Sequence, residues 1–243
     1  MPERDEAEAW SETGRPQRSR PDKHRDEAEA DDSPLRIGTY YRMHLLHRLG
    51  ADGASGVVVD VGGRDGRWLA GMHGTRVLVD LDLVRAEPAV DYVQGSADAI
   101  PLRDRVADSV YSLDVIEHTP DEAAVLDEML RLLRPGGRLV LTTPSADMRV
   151  FPGVVQPWVD RKWGHDRVRG FHAAYLEKLL RDRGVDVTVR PLAYRMFRWC
   201  YFPLRALWAV PGGIGRAAVR VVAAIDARYA WGAHGALLVE AHA

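Results

Sequence analysis

The side chains able to do chemistry gather in two places along this chain. Asp114, Glu117 and His118 follow directly on the apolar stretch that ends at Leu113, and His165 lies further on in the segment KWGHDRVRG. A histidine near its ordinary pKa of ~6.5 can take a proton from a hydroxyl at neutral pH, which makes His165 and His118, with Glu117 beside the latter, candidates for a base. Asp114, Glu117 and His118 are also metal-ligand types at compact spacing. The second place is VVVDVGGRDG, Val57 to Gly66, where glycines after a strand let the backbone turn and point N–H groups at an anion. Its glycines stand at 62, 63 and 66 with Asp60 two places before the first, so it is not G-x-G-x-x-G, and it has no lysine of a phosphate-binding loop. Nicotinamide and nucleoside-triphosphate readings both weaken.

The elements that must position these groups alternate. Ile37, Tyr40, Tyr41, Leu45, Leu46 and Leu49 fall near helical spacing from Arg36 onward, with Gly50 as a stop. The run Val57–Val59 opens a strand, and Gly62 and Gly66 punctuate a turn into a helix. Further strands are predicted at 76–81, 91–95, 107–113 and 138–143. A helix follows Thr119 to about Leu133, and Pro135, Gly136 and Gly137 break it. Ala173, Leu176, Leu179 and Leu180 mark another helix, ended by Gly184 before a strand at 185–189, and a last strand covers 236–240. Alternating short strands and helices predict an α/β fold: a doubly wound, mostly parallel, seven-stranded sheet covered on both faces, with ligand at the carboxyl ends of its strands. That places the turn Asp60–Gly66 at a binding crevice.

From Val57 to Pro144 the chain resembles the class I S-adenosylmethionine-dependent methyltransferases of small-molecule type. DVGGRDG stands at the family's glycine-rich first motif, VLVDLD (Val77–Asp82) ends the second strand with an acid, and GSADAIPL (Gly95–Leu102) follows the third. DSVYSLDVIEH (Asp108–His118) and LLRPGGRLVLTTP (Leu132–Pro144) supply the fourth and fifth strands. The resemblance implies S-adenosylmethionine as cofactor, with Asp60, Gly62, Gly63, Arg64 and Gly66 around its methionine part. Asp80 and Leu81 would lie at its ribose, and Ser96, Ala97, Asp98 and Leu113 around its adenine side. An ionised carboxylate is acceptor-only, so Asp80 suits two vicinal hydroxyls, the alternative being a helix N-cap. Two positions depart from the pattern: Arg64 where glycine is usual, which either pairs with the cofactor carboxylate or crowds the pocket, and Ser96 where an acid is common.

Methyl transfer from a sulfonium is an in-line displacement with an activated leaving group, so positioning supplies much of the acceleration and a base serves protonated nucleophiles. His165 is preferred, then His118, with Glu117; the alternatives are that His118 packs beneath the next helix and that His165 bonds its own loop. The Asp114/Glu117/His118 spacing is similar to that of Mg-dependent O-methyltransferases of quinone biosynthesis but is common in the family without metal, and no metal site is assigned. Tyr40 and Tyr41 line the acceptor pocket or pack in the core.

The most distinctive segment is 191–234, read as a helical insertion before the last strand. It holds eight of the chain's nineteen aromatic residues, and its six arginines oppose one acid, Asp226. Ile214, Ala218, Val221, Val222 and Ile225 fall at helical spacing, giving one apolar face, with Arg216 and Arg220 on a cationic one. It reads as a lid over a hydrophobic acceptor, a surface in the headgroup layer of an anionic membrane, a homodimer interface, or plain cover for a sheet edge. Residues 1–35, with eleven acidic and six basic side chains, read as a disordered tail, leaving 36–243 as one domain. A net charge of −2 disfavours nucleic acid as a partner. One cysteine, no secretory pattern and no long apolar run make a cytoplasmic protein, with peripheral membrane contact open, the expectation. The expected reaction is O-methylation of a bulky, largely apolar natural product or lipid-linked molecule, with N- or C-methylation, a non-methylating reaction and a non-catalytic binding protein as alternatives.

Overall fold

A computed structural model describes residues 36–84, 87–148, 153–155, 170–192, 194–229 and 235–243. The expected tail at 1–35 and the candidate base His165 lie outside the described residues. Seven strands, β1 (Val57–Val61), β2 (Thr75–Asp80), β3 (Asp91–Gln94), β4 (Ala107–Leu113), β5 (Leu133–Pro144), β6 (Asp186–Leu192) and β7 (Ala236–His242), form one sheet in the order β3-β2-β1-β4-β5-β7-β6. Pairings among β1 to β5 are parallel, and β7 runs antiparallel to both β5 and β6. The chain order reverses between β1 and β4, so the connections leaving their carboxyl ends diverge and open a crevice there.

Strands β1 and β4 are buried almost throughout, as central strands in a sheet covered on both faces must be. On one face α2 (Glu122–Leu132) and α3 (Ala173–Arg181) bury Val125, Leu126, Met129, Leu176 and Leu180 against Val59, Val61, Leu139 and Leu141. On the other, α1 (Ile37–Arg48), α4 (Arg195–Trp208) and α5 (Ile214–Arg228) bury Tyr41, Leu45, Phe197, Leu204, Val219 and Ala223 against Val58, Tyr111, Val140 and Leu238. Asp60, two residues on from Val58, faces this second layer.

Four expectations are corrected. The glycine turn leads only to a single 3-10 turn, Arg67–Leu69, and no α-helix separates β1 from β2 or β2 from β3 among the described residues. Five glycines between residues 62 and 74 make a helix there costly in backbone entropy. The helix expected after Thr119 starts at Glu122, because Asp121 is the cap: its carboxylate accepts from the N–H groups of Ala123 and Ala124, both at 3.0 Å. β5 begins at Leu133, which pairs with Ala107, and pairing resumes at Arg138 after the Pro-Gly-Gly irregularity.

The fourth concerns the insertion, which packs over a sheet face rather than an edge and is rotated from the expected setting. In α5, Val219, Val222, Ala223 and Asp226 are buried, while Ile214 and Val221 stand 55% and 59% exposed. Two contacts fix this rotation. A Cβ on Gly215 would lie 2.5 Å from the carbonyl oxygen of Leu207, so α5 turns its glycine toward the end of α4. Asp226 accepts from the Tyr41 hydroxyl at 2.7 Å and from the N–H groups of Met196 and Phe197 at 2.9 and 3.0 Å. It thereby caps α4, whose own cap residue, Tyr194, supplies no side-chain bond. Tyr41 is consequently core rather than pocket lining, stacked on Phe197 at 4.0 Å, and Tyr40 packs against His44 and Trp208.

Candidate active site

At the end of β1 a tight glycine turn crosses above a buried carboxylate. Gly62 and Gly66 have φ of 78° and 74°, and a Cβ on Gly63 would sit 1.9 Å from Asp60 Oδ2. Neither oxygen of Asp60 has a hydrogen-bond partner among the described residues, and the side chain is almost fully buried. Burial, followed by the charges of Asp80 and Asp65, pushes its pKa up to about 8. A carboxylate desolvated without a partner is a large cost for a folded chain to carry, and this makes the end of β1 a candidate ligand site.

Asp80, at the end of β2, accepts from the Arg64 N–H at 2.8 Å and the Asp82 N–H at 3.1 Å. It ties the glycine loop to the end of β2 instead of capping a helix, and each of its oxygens keeps a second lone pair for a ligand hydroxyl. Arg64 has φ of 53°, the left-handed region where glycine is the unstrained residue. Leu81 beside it is 61% exposed. After β3 the Ser96 hydroxyl donates to the Asp98 carboxylate. Arg131 holds this loop onto α2 through the carbonyls of Ile100 and Leu102, at 2.9 and 2.8 Å. Ala97 and Leu113 pack at opposite layers of the sheet.

A second centre lies beyond β4 and β5. Glu117 is buried in the 3-10 turn Ile116–His118; its Oε2 accepts from the Thr143 hydroxyl at 3.0 Å, and its Oε1 has no hydrogen-bond partner. Burial pushes its pKa up to about 7, against the opposing pull of its own backbone N–H, the Thr143 hydroxyl and Arg42. His118, about half exposed, reaches to 4.0 Å from Glu117 Oε1, and burial lowers its pKa. Asp114 is taken up differently: Thr142 Oγ1 donates to its Oδ1 at 2.8 Å and Arg42 pairs with its Oδ2. The three side chains therefore do not converge, and no cluster suited to a metal occurs among the described residues.

Tyr194 brings the insertion to this centre. Its hydroxyl is buried without a partner; burial, with the charges of Glu117 and Asp226 and against that of Arg42, pushes its pKa up to about 12. Of the four described non-glycine residues with positive φ, three, Arg64, Asp114 and Tyr194, lie in these two centres, where backbone strain commonly collects. Sequence reasoning missed Arg42, Thr142, Thr143 and Tyr194. The threonines had a readable signal, a polar break at the carboxyl end of an apolar strand. Arg42 and Tyr194 reach the site only through the packing of α1 and the start of α4.

A doubly wound sheet with a glycine turn over an unpartnered acid at β1 and an accepting acid at the end of β2 defines a nucleotide-cofactor-binding α/β protein. A family model described as a methyltransferase domain matches residues 35–189, and the chain belongs to that family, the class I S-adenosylmethionine-dependent methyltransferases. Over 166 residues it is 35% identical to a sarcosine/dimethylglycine N-methyltransferase of Halorhodospira halochloris, covering 61% of this chain and 57% of that one. Over 86 residues it is 42% identical to a dimethylglycine N-methyltransferase of Parasynechococcus marenigrum, covering 35% and 30%. Over 118 residues it is 32% identical to a chloroplastic tocopherol O-methyltransferase of Arabidopsis thaliana, covering 42% and 34%. The matches thus span 30% to 57% of these relatives' lengths. Among solved structures, a Haloferax volcanii complex of the Trm112 methyltransferase activator with a putative methyltransferase aligns with a TM-score of 0.57 at 18% identity, covering 85% of this chain and 92% of that one. The [4+2]-cyclase SpnF aligns at 0.56 and 19%, covering 88% and 85%. These two likenesses show the fold alone.

Proposed function

We propose that this chain transfers a methyl group from S-adenosylmethionine to an oxygen of a bulky, largely apolar small molecule, a natural product or lipid-linked compound. The observation that carries the reading is Glu117: a buried carboxyl held near neutrality, one oxygen fixed by Thr143 and the other unpartnered. The residues present fit the cofactor. The unpartnered carboxylate of Asp60 suits an ammonium, the turn Gly62–Gly66 suits close approach of a ligand to backbone, and the spare lone pairs of Asp80 suit ribose hydroxyls. Arg64 is assigned to the cofactor carboxylate, and Leu81, Ser96, Ala97, Asp98 and Leu113 to the nucleoside. When bound, the cofactor supplies an activated methyl group on a sulfonium.

The chain's own residues then position the acceptor and move a proton. Glu117 Oε1 accepts the proton of the acceptor hydroxyl as the oxygen–methyl bond forms; a base whose pKa lies near the working pH is both ionised often enough and basic enough to do this. The Tyr194 hydroxyl donates to a polar atom of the acceptor, and its ring with the start of α4 shields the centre from water. His118, exposed beside Glu117, faces the solvent that receives the proton. His165 is the other candidate base. Acceptor apolarity draws support from the relative named for tocopherol, whereas the sarcosine/dimethylglycine relatives favour a second reading, transfer to nitrogen.

Calorimetric titration with S-adenosylmethionine, S-adenosylhomocysteine and, as control, NAD tests the cofactor. Micromolar binding of the first two alone is expected, and NAD binding in their place would overturn the reading. Screening hydrophobic alcohols, phenols and amines with labelled cofactor then identifies the methylated atom. In Glu117→Gln, turnover should fall by about 10²- to 10⁴-fold with cofactor affinity unchanged; undiminished turnover removes Glu117 from the chemistry.

A further inference from the structure

The outer faces of α4 and α5 are composed in a way that the packing of the domain does not require. Their inner faces share one buried cluster over the same face of the sheet, so their outer faces look outward together. At 100° per residue, Met196, Trp199, Phe202, Pro203 and Ala206 of α4 fall on one side, and that side is the exposed one, with Trp199 at 58% and Phe202 at 50%. Leu207, Val210 and Ile214 continue the exposed apolar surface around the turn into α5. Phe197 and Trp208 of the same helix pack inward, so Trp199 and Phe202 are large aromatic side chains placed on its exposed side, where an apolar patch suits a partner.

Among the described residues, the exposed charge on α4 and α5 has one sign. The described part of the insertion carries six arginines and one acid, and that acid, Asp226, is buried and engaged by Tyr41, Met196 and Phe197. Arg205, Arg216 and Arg220 are exposed, and no carboxylate among the described residues pairs with them. An open groove of about 640 Å³ between the end of α1 and α5 is lined by Arg48, Arg220 and Arg228 together with Val221 and Ile225, and no acid lines it among the described residues. Exposed aromatic and aliphatic side chains with exposed arginines on the same two helices suit the boundary between acyl chains and phosphate headgroups: the apolar groups leave water while the guanidiniums stay at the phosphates. No described helix is long and apolar enough to cross a membrane, so such contact would lie along the surface.

We infer that the α4–α5 hairpin docks this protein on an anionic phospholipid membrane, with Trp199, Phe202 and the neighbouring apolar groups inserted at the headgroup level and Arg205, Arg216 and Arg220 on lipid phosphates. The surface stands whether or not the proposed methyl transfer does, because its test reads binding alone.

Flotation of the full chain with vesicles of phosphatidylcholine, alone or mixed with phosphatidylglycerol, tests it. Binding should be confined to the mixed vesicles and should fall steeply as salt screens the arginines. Arg205→Ala/Arg216→Ala/Arg220→Ala should lower the partition coefficient roughly 100-fold. Trp199→Ala/Phe202→Ala, which leaves the charge intact, should lower it at least about tenfold. All five side chains lie at the surface, and an unchanged melting temperature and an unchanged affinity for S-adenosylhomocysteine establish that the variants fold. Equal binding to neutral vesicles, no binding to either kind, or variants that bind like the parent would each overturn the proposal. So would a concentration-dependent dimer in the ultracentrifuge that Trp199→Ala/Phe202→Ala abolishes, since the apolar face would then belong to a second copy of the chain.

Discussion

Replacing Asp60 by asparagine should make the cofactor-free protein more stable relative to its parent as pH rises, and the amount follows from where the carboxyl sits. Burial beside Asp80 and Asp65 pushes its pKa from the ordinary 3.8 to about 8 in the folded chain. Between these values the folded state keeps a proton that the unfolded state has released, so unfolding is favoured progressively as pH rises; below 3.8 both states are protonated and the penalty is absent. Taken between pH 5 and pH 7, both inside that window, the penalty grows by about 3 kcal/mol. Asparagine does not titrate, so Asp60→Asn loses this slope while paying a pH-independent cost for its amide. Urea unfolding of both proteins at the two pH values isolates the slope, because the fixed cost cancels in the double difference, as does the same-signed contribution of Glu117, present in both. A double difference near zero would show that Asp60 is not a desolvated, unpartnered acid, and the cofactor reading of β1 would lose its principal support. A companion effect is expected on binding: a ligand ammonium over Asp60 restores its ionisation, so the cofactor should release up to one proton at pH 7, seen as a calorimetric enthalpy that varies with the buffer.

Two further outcomes are expected. Asp226→Ala removes three hydrogen bonds and strands the Tyr41 hydroxyl and two N–H groups of α4, and should cost about 3 to 5 kcal/mol in denaturant unfolding; a loss under about 1 kcal/mol would show that α4 does not depend on this cap. Asp80→Ala should weaken cofactor binding by about 1.5 to 3 kcal/mol by calorimetry, through lost hydroxyl contacts and a loosened glycine loop, and an unchanged dissociation constant would sink the ribose assignment.

The succession of strands along the chain and the position of the crevice were legible because each depends on local pattern. Runs such as Val57–Val61 and Leu139–Leu141 read as buried strands, glycines and prolines mark their ends, and a parallel sheet collects ligands at one end of its strands. Asp60 and Asp80 were picked out by resemblance to the family's motifs and Glu117 because it follows the fourth strand; in the structure each closes or follows a strand on that side. Element boundaries were less legible where a single side chain decided them, as Asp121 does at the start of α2 and the Leu133–Ala107 pairing does at the start of β5.

Sequence by itself therefore determined the fold class, the family and the acids near the crevice, since strand burial, turn chemistry and motif order are properties of short stretches of chain. Only the tertiary structure decided how deeply those acids are buried and which groups surround them. Arg42 from α1 pairs with Asp114, and Tyr194 from the start of α4 lies within electrostatic reach of Glu117, through packing between segments far apart in sequence, which no local pattern encodes. The rotation of α5 likewise depended on Gly215 fitting against Leu207 and on Asp226 reaching Tyr41 and the open N–H groups of α4. A helix with apolar residues on more than one face is set by the partner that needs its polar group, and that partner is known only once the layers are packed.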